Sequence, residues 1–122
     1  MKSVFLVAIG GASGSALRFL VGEWLPWKSV ATFPWATVTV NLAGCLLTGL
    51  AVGAMSRYNI LEDSFRQFFV IGFCGGFTTF SAFSREIFRM LSQNLWLHAI
   101  LYTAISILAG VALTASGYYL IK

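Results

Sequence analysis

The chain has 122 residues, of which 58% are hydrophobic and only 10% charged, and its formal net charge is +4. A soluble domain usually carries about 25% charged residues, so most of this surface cannot face water. Length and composition therefore favour a single small domain embedded in lipid. The basic residues form no stripe of the kind that would indicate a nucleic-acid partner.

Four apolar segments follow one another along the chain, at residues 4–21, 35–55, 65–88 and 95–121. Each can cross a hydrocarbon core of about 30 Å, which takes about 20 helical residues. Such long apolar runs predict helices rather than the alternating strands of a membrane barrel. The first segment follows a lysine, as a signal peptide does, but three more segments follow it, so we predict a retained helix. The predicted fold is an all-α membrane protein with four transmembrane helices in one domain, residues 1–122.

Glycines spaced four residues apart occur in the first three segments, and such pairs allow helices to approach closely. The pairs are Gly10 with Gly14, Gly49 with Gly53, and Gly72 with Gly76. Their presence predicts tight helix contacts in a small bundle.

Basic residues are divided almost evenly between the two sides of the membrane that four spans define. One side has Lys2, Arg57, Arg66 and Lys122, and the other has Arg18, Lys28, Arg85 and Arg89. If Arg18 and Arg85 are excluded as embedded in helices, the count is four against two. Because an asymmetry of basic loops normally sets orientation, this weak or absent bias would allow insertion in both orientations. Two opposed copies could then pair as an antiparallel homodimer.

The third segment, GFCGGFTTFSAFSRE, is rich in residues that disturb a helix. Its glycines and hydroxyl residues are Gly72, Gly75, Gly76, Thr78, Thr79, Ser81 and Ser84. Glycine costs about 1 kcal/mol relative to alanine in a helix interior, and the hydroxyls compete for backbone partners. The composition predicts a break in this helix between residues 75 and 79, in the middle of the membrane. Carbonyls freed by a break can ligate a cation, although a glycine kink that only serves packing is the alternative.

Two further features could line a path for an ion. Phe80 and Phe83 are three residues apart, so they share a helix face, and the positive edges of their rings could favour an anion. The alternative for this pair is ordinary core or lipid contact. Asn41, within the second segment, offers two donors and one acceptor, which would suit either an ion path or a clasp between helices.

The fourth segment carries a stripe of polar and small residues at four-residue spacing. The stripe consists of Tyr102, Ser106, Gly110 and Thr114. These residues lie on one helix face, as a packing seam or as a hydrophilic track.

Charges and thiols inside the apolar segments are few. Arg18, Arg85 and Glu86 lie near segment ends, where they are functional candidates but could also extend to the interface. Cys45 and Cys74 are predicted to be free, buried thiols. The sequence contains no serine–histidine–acid set, metalloprotease motif or phosphate-binding loop, and its one histidine, His98, is predicted to be interfacial. We therefore predict that the protein is not an enzyme.

Three stretches of the sequence resemble a known family. They are GGASGSALRF near the N-terminus, FPWATVTVNLAG around Asn41, and GFCGGFTTFSAFSREIF in the third segment. With them, essentially the whole chain resembles the CrcB or Fluc fluoride channels.

This resemblance implies an antiparallel, dual-topology homodimer that lets fluoride leave the cytoplasm passively and so relieves its toxicity. It implies a location in the plasma membrane of a bacterium, the inner membrane if the cell is Gram-negative. It also implies a structural sodium ion at the dimer interface, held by the carbonyls of Gly75 and Thr78 from each subunit. Arg18 would lie at a vestibule. The implied fluoride pore consists of Asn41, Phe80, Ser81, Phe83, Ser84, Tyr102 and Ser106, and Gly110 stands where some relatives carry a serine.

Two other functions are considered. A small antiparallel exporter, like the small multidrug-resistance proteins, would need a carboxylate near the middle of its first helix, whereas Glu23 lies beyond the predicted end of that segment. A non-conducting structural subunit would not need Asn41, Phe80 and Phe83 on a common path.

Overall fold

The computed structural model describes residues 1–25, 33–59 and 63–122, and all regular structure within these ranges is helical. Helix α1 spans Lys2–Trp24 and α2 spans Trp35–Tyr58. A short helix α3, Asp63–Phe65, runs directly into a π-helical segment, Arg66–Cys74, and then into α4, Gly75–Phe77. Helices α5, Phe80–Ser92, and α6, Trp96–Ile121, complete the chain.

Among the described residues, four helical spans are long and apolar enough to cross a membrane. They are Lys2–Trp24, Trp35–Tyr58, Asp63–Ser92 and Trp96–Ile121, with 23, 24, 30 and 26 residues. The prediction of an all-helical protein with four such spans is confirmed, and the observed helices extend most of the predicted segments by a few residues. Lys28, one of the basic residues counted above, lies outside the described residues.

The outer surface is formed largely by apolar side chains. Exposed examples include Phe5, Leu97, Leu108 and Val111, each about two-thirds exposed. Apart from Tyr102, whose side chain carries a hydroxyl, the described residues include no fully buried polar or charged residue. This distribution suits helices that turn their apolar faces to lipid and keep polar groups at helix contacts.

Helix α1 packs against the π-helical segment and α4, while α2 packs against α6. In both pairs the backbones touch. A methyl group on Gly14 would overlap the carbonyl oxygen of Phe73, and one on Gly49 would overlap that of Thr114. All six predicted glycines lie at contacts of this kind, so the predicted tight helix contacts are confirmed.

A column of phenylalanines, which was not predicted from the sequence, runs from the end of α3 through the π-helical segment to the end of α4. Phe65, Phe69, Phe73 and Phe77 stack with centroid distances of 5.6, 5.3 and 5.9 Å and nearly parallel rings. Their four-residue spacing is visible in the sequence. The column ends at Phe77, immediately before the helix is interrupted.

The interruption consists of Thr78 and Thr79, which have extended backbone angles of φ −82°, ψ 160° and φ −148°, ψ 119°. Gly75, by contrast, is helical, with φ −64° and ψ −37°. Gly76 serves a different purpose, because a methyl group there would overlap the carbonyl oxygen of Gly11 in α1. The glycines therefore bring α4 against α1, and the threonines form the extended residues.

Candidate functional site

Asn41 binds the backbone of the interruption through both ends of its amide. Its Nδ2 donates to the Thr79 carbonyl at 3.1 Å, and the Thr79 N–H donates to its Oδ1 at 2.8 Å. The reciprocal pair also fixes which end of the amide is oxygen and which is nitrogen. Asn41 is therefore a clasp between α2 and the interruption, and one N–H of its amide remains for another acceptor.

The clasp changes the hydrogen bonding of Gly75. In a continuous α-helix, the Thr79 N–H would bond to the carbonyl four residues earlier, which belongs to Gly75. That N–H is directed to Asn41 instead. The Gly75 carbonyl thus loses its helical donor, and Gly75 itself is exposed, with open space where a Cβ would stand.

The second carbonyl affected belongs to Thr78. Its helical donor would be the N–H of Ala82, but that group donates to the Thr79 hydroxyl at 3.2 Å. Thr79 is the N-cap of α5, and this bond satisfies one of the donors that every helix start leaves free. The Thr78 carbonyl instead accepts a hydrogen bond from Arg18 of α1 at 3.1 Å.

A cavity of about 320 Å³ surrounds this arginine, and we call it the arginine cavity. Its polar lining residues are Arg18, Thr37, Thr79, Ser81, Arg85 and Glu86. Two guanidinium groups and several hydroxyls thus face one space. With the Glu86 carboxylate in the same lining, two positive groups face one negative group, and this excess of positive charge favours anions.

A second cavity of about 400 Å³, the phenylalanine cavity, lies on the other side of Thr79, which lines both. Its lining residues are Asn41, Cys45, Thr48, Thr78, Thr79, Phe80, Phe83, Ser106, Ile107 and Thr114. A third cavity of about 650 Å³ lies between α2 and α6 and shares Cys45, Ser106, Ile107 and Thr114 with the second. Neighbouring cavities therefore share lining residues on both sides of the phenylalanine cavity: Thr79 with the arginine cavity, and Cys45, Ser106, Ile107 and Thr114 with the third.

The two phenylalanines of α5 have different surroundings. Phe80 is 77% exposed, and its ring centroid lies 5.8 Å from that of Phe83. Phe83 packs in turn against the ring of Tyr102, at 5.0 Å. The exposed ring lines a largely apolar cavity that also holds several hydroxyls and the Asn41 amide.

Most of the predicted pore residues are brought together, but some are not. The phenylalanine cavity includes Asn41, Phe80, Phe83 and Ser106, and the arginine cavity includes Ser81 and the predicted vestibule residue Arg18. Ser84 is exposed and lines none of these three cavities. Tyr102 also lines none of them, because it is fully buried behind Phe83.

Tyr102 belongs instead to a polar cluster that joins three helices. Its hydroxyl donates to Glu86 Oε2 at 2.6 Å, and the Thr37 hydroxyl donates to Glu86 Oε1 at 2.7 Å. Glu86 was a functional candidate from the sequence, but neither of these partners was predicted, and Thr37 was not a candidate. The available signal was a carboxylate within an apolar segment, which needs hydrogen-bond donors from neighbouring helices.

The two cysteines differ in burial. Cys74 is 3% exposed, whereas Cys45 is only partly buried and lines two cavities; both are free. The prediction of free thiols is confirmed for both, and that of burial only for Cys74. Within the described ranges, no cluster of three or more histidine, cysteine or acidic side chains could hold a metal ion.

The fold and the site define a multi-pass α-helical membrane protein whose polar groups line cavities between its helices. A family model described as "CrcB-like protein, Camphor Resistance (CrcB)" matches residues 5–118. The chain belongs to the CrcB family.

Curated relatives named "Fluoride-specific ion channel FluC" resemble the chain over nearly its whole length. The protein from Azobacteroides pseudotrichonymphae is 43% identical over 120 residues, which are 98% of this chain and 96% of the relative. The protein from Flavobacterium psychrophilum is 41% identical over 122 residues, 100% and 98% of the two chains. One from Leptospira interrogans is 36% identical over 121 residues, 99% and 95% of the two chains.

Proposed function

We propose that this protein is a fluoride-selective ion channel that lets fluoride leave the cytoplasm passively and thereby relieves fluoride toxicity. The observation that carries the proposal is the gathering of Asn41, Phe80, Phe83 and Ser106 around one cavity that adjoins the arginine cavity. The names of the full-length relatives support the choice of ion. The proposed location is the plasma membrane of a bacterium, the inner membrane in a Gram-negative cell.

The lining suits a small anion that must lose its water. Removing water from a charged group is costly unless other donors replace it. The remaining N–H of Asn41, the Ser106 hydroxyl and the ring edges of two phenylalanines can do so without a fixed positive charge. Because neutral donors bind an anion only moderately, the ion can also leave, which conduction requires. Arg18 and Arg85 would concentrate fluoride at the mouth.

We also propose that two copies assemble as an antiparallel, dual-topology homodimer with a structural sodium ion at the interface. The oxygen donors fit such an ion, because Gly75 and Thr78 both have carbonyls whose helical donors are directed elsewhere. Unwound carbonyls of this kind coordinate sodium in discontinuous membrane helices. Each chain offers two such carbonyls, so two copies together would offer a set of four. The Thr78 carbonyl has a second lone pair besides the one facing Arg18. The open space at Gly75 is consistent with a surface that meets a second copy.

A specific observation supports a second candidate function. Glu86 is a carboxylate that lines the arginine cavity, and a carboxylate inside a membrane protein can couple transport to protons. It lies in the third span rather than in the middle of the first, and two hydroxyls already bind it. The second candidate is therefore an exporter coupled to a proton gradient.

The purified protein in liposomes loaded with fluoride separates these possibilities, with a fluoride electrode as the readout. A channel gives fast efflux without a proton gradient and nearly excludes chloride, whereas efflux only with a proton gradient identifies the exporter. Phe80→Ile is expected to slow efflux greatly. Phe88→Ile is the matched control, because Phe88 lies on the same helix, is 72% exposed and lines none of the three cavities. Equal slowing by both variants would remove Phe80 from the pore.

The dimer and the sodium ion have separate tests. Chemical cross-linking and mass determination in detergent should give a dimer, and a tag at the C-terminus should be accessible from both sides of the cell membrane. Efflux measured with N-methylglucamine in place of sodium should fall and should recover when sodium is returned. A fully active protein without sodium would remove the ion from the proposal.

A further inference from the structure

The polar stripe of α6 has a gap. Tyr102, Ser106, Gly110 and Thr114 follow one another at four-residue spacing on one helix face, and Gly110 contributes no side chain. Gly110 is buried, and a Cβ built on it would lie 3.3 Å from the Cys45 Sγ atom. The thiol of Cys45, which belongs to α2, therefore stands beside the gap in the stripe.

Cys45 is also placed to contact whatever occupies the cavities. It lines both the phenylalanine cavity and the cavity between α2 and α6, together with Ser106 and Thr114. It lies ten residues after Trp35, the first residue of α2, and so about 15 Å along a helix of 24 residues. This depth is near the middle of the span, far from either end of the helix.

The neighbouring hydroxyls give independent support for a ligand at this place. The Ser106 Oγ atom has less than 1 Å² of accessible surface and no hydrogen-bond partner among the described residues. A buried hydroxyl without a partner is unfavourable unless something else accepts its proton. The Thr114 hydroxyl, by contrast, has acceptors for its single proton in the carbonyls of Gly110 and Cys45, at 3.0 and 3.2 Å, so Ser106 is the hydroxyl left without a partner.

We propose that Cys45 is an ion-contacting residue of the pore, and that its thiol completes the donor stripe of α6 at the gap left by Gly110. The inference rests on the proposed channel function. A small anion moving past Ser106 would next meet the S–H group of Cys45, a weak and neutral donor. The Ser106 hydroxyl and the Cys45 thiol then form successive contacts, supplied by two different helices.

Efflux from liposomes with methyl methanethiosulfonate as the probe tests this inference. The Cys45 thiolate attacks the reagent sulfur, a methyl disulfide forms and methanesulfinate leaves, so the S–H donor is lost. In a Cys74→Ala background, modification should slow fluoride efflux by about ten-fold. This is the factor expected when the ion loses one net hydrogen bond at the top of its energy barrier. Dithiothreitol should restore the rate. The matched control is Cys45→Ala with Cys74 retained, which should be insensitive to the reagent.

Substitutions distinguish a role as donor from one in packing. Cys45→Ala should slow efflux, and Cys45→Ser, which keeps a donor, should retain more of it. In the double variant Cys45→Ala with Gly110→Ser, a hydroxyl returns to the stripe in the space that the thiol vacated, so efflux should recover. A packing role alone does not predict that recovery.

The possible failures are distinguishable. Absence of fluoride efflux from folded wild-type protein would refute the proposed channel function. If the wild-type protein conducts fluoride normally, three results would overturn the role of Cys45 alone. They are efflux through Cys45→Ala at the wild-type rate, a Cys45 thiol that the reagent does not modify in the conducting protein, and complete modification by mass spectrometry without slower efflux.

Discussion

Asn41→Ala should lower the free energy of unfolding as well as slow fluoride efflux, because it removes the two hydrogen bonds that join α2 to Thr79. The substitution deletes the bond from Nδ2 to the Thr79 carbonyl and the bond from the Thr79 N–H to Oδ1. It creates no new partner for either backbone group. The perturbation is therefore the loss of the side-chain partner for both backbone groups of Thr79.

The magnitude follows from these two groups. An unpaired buried donor or acceptor costs about 1–3 kcal/mol, so two of them set a range of about 2–6 kcal/mol. Asn41 and Thr79 are only partly buried and border cavities, and water in a cavity can replace part of what is lost. We therefore expect a loss of about 2–3 kcal/mol in the free energy of unfolding.

The assay is unfolding in mixed micelles with increasing denaturing detergent, followed by tryptophan fluorescence. Hydrogen exchange of the backbone amides at residues 78–82 should become faster in the same variant, because the Thr79 N–H has lost its acceptor. Thr39→Ala is the matched control. Thr39 lies on the same helix and is exposed, so its substitution should change the free energy of unfolding by less than about 0.5 kcal/mol.

The reasoning would be refuted if Asn41→Ala unfolded at the same detergent concentration as Thr39→Ala and kept the exchange rates of the wild type. Loss of efflux without any loss of stability would instead show that Asn41 acts on the ion alone. The two readouts therefore separate the clasp from the contact with fluoride.

Three other expectations concern different contacts. Gly14→Ala should destabilise the protein by about 1–3 kcal/mol through overlap with the facing backbone, whereas Gly22→Ala, with open space at its Cβ, should be neutral or stabilising in the same detergent titration. The effects of Tyr102→Phe and Glu86→Gln on the free energy of unfolding should be non-additive by about 1–2 kcal/mol in a double-mutant cycle, because the two side chains share a charge-assisted hydrogen bond of 2.6 Å. Additive effects would contradict that bond. Thr78→Ala should keep most fluoride efflux, because the Thr78 hydroxyl donates to the Cys74 carbonyl and the proposed sodium ligand is the backbone oxygen of Thr78. Complete loss of efflux in a folded variant would assign the role to the hydroxyl.

Local features of the sequence predicted the architecture well. The length of an apolar run decides whether a segment can span a membrane, and all four spans were predicted on that basis. Spacing decides which residues share a helix face, so the glycine pairs and the stripe that includes Ser106 are evident from the order of residues alone. The extended residues Thr78 and Thr79 fall within the predicted range, although the neighbouring Gly75 is helical.

Other features depended on which helices meet. Asn41 had two open interpretations, and only the packing of α2 against the third span directs its amide to Thr79, 38 residues away. Similarly, nothing local indicates that Arg18 donates to Thr78 or that Cys45 stands beside Gly110. Such pairs depend on the rotation and separation of helices, which every contact in the bundle determines together.

The sequence by itself thus determined the number of spans, their apolar faces and the places where backbones can touch, because these follow from composition and periodicity along one helix. The tertiary structure alone decided which donor meets which acceptor, because a hydrogen bond tolerates only a few tenths of an ångström. Helical periodicity gives the direction of a side chain much more coarsely. The clearest example is the pair of carbonyls of Gly75 and Thr78. Their helical donors bond to the Asn41 and Thr79 side chains instead, and only the tertiary structure shows this.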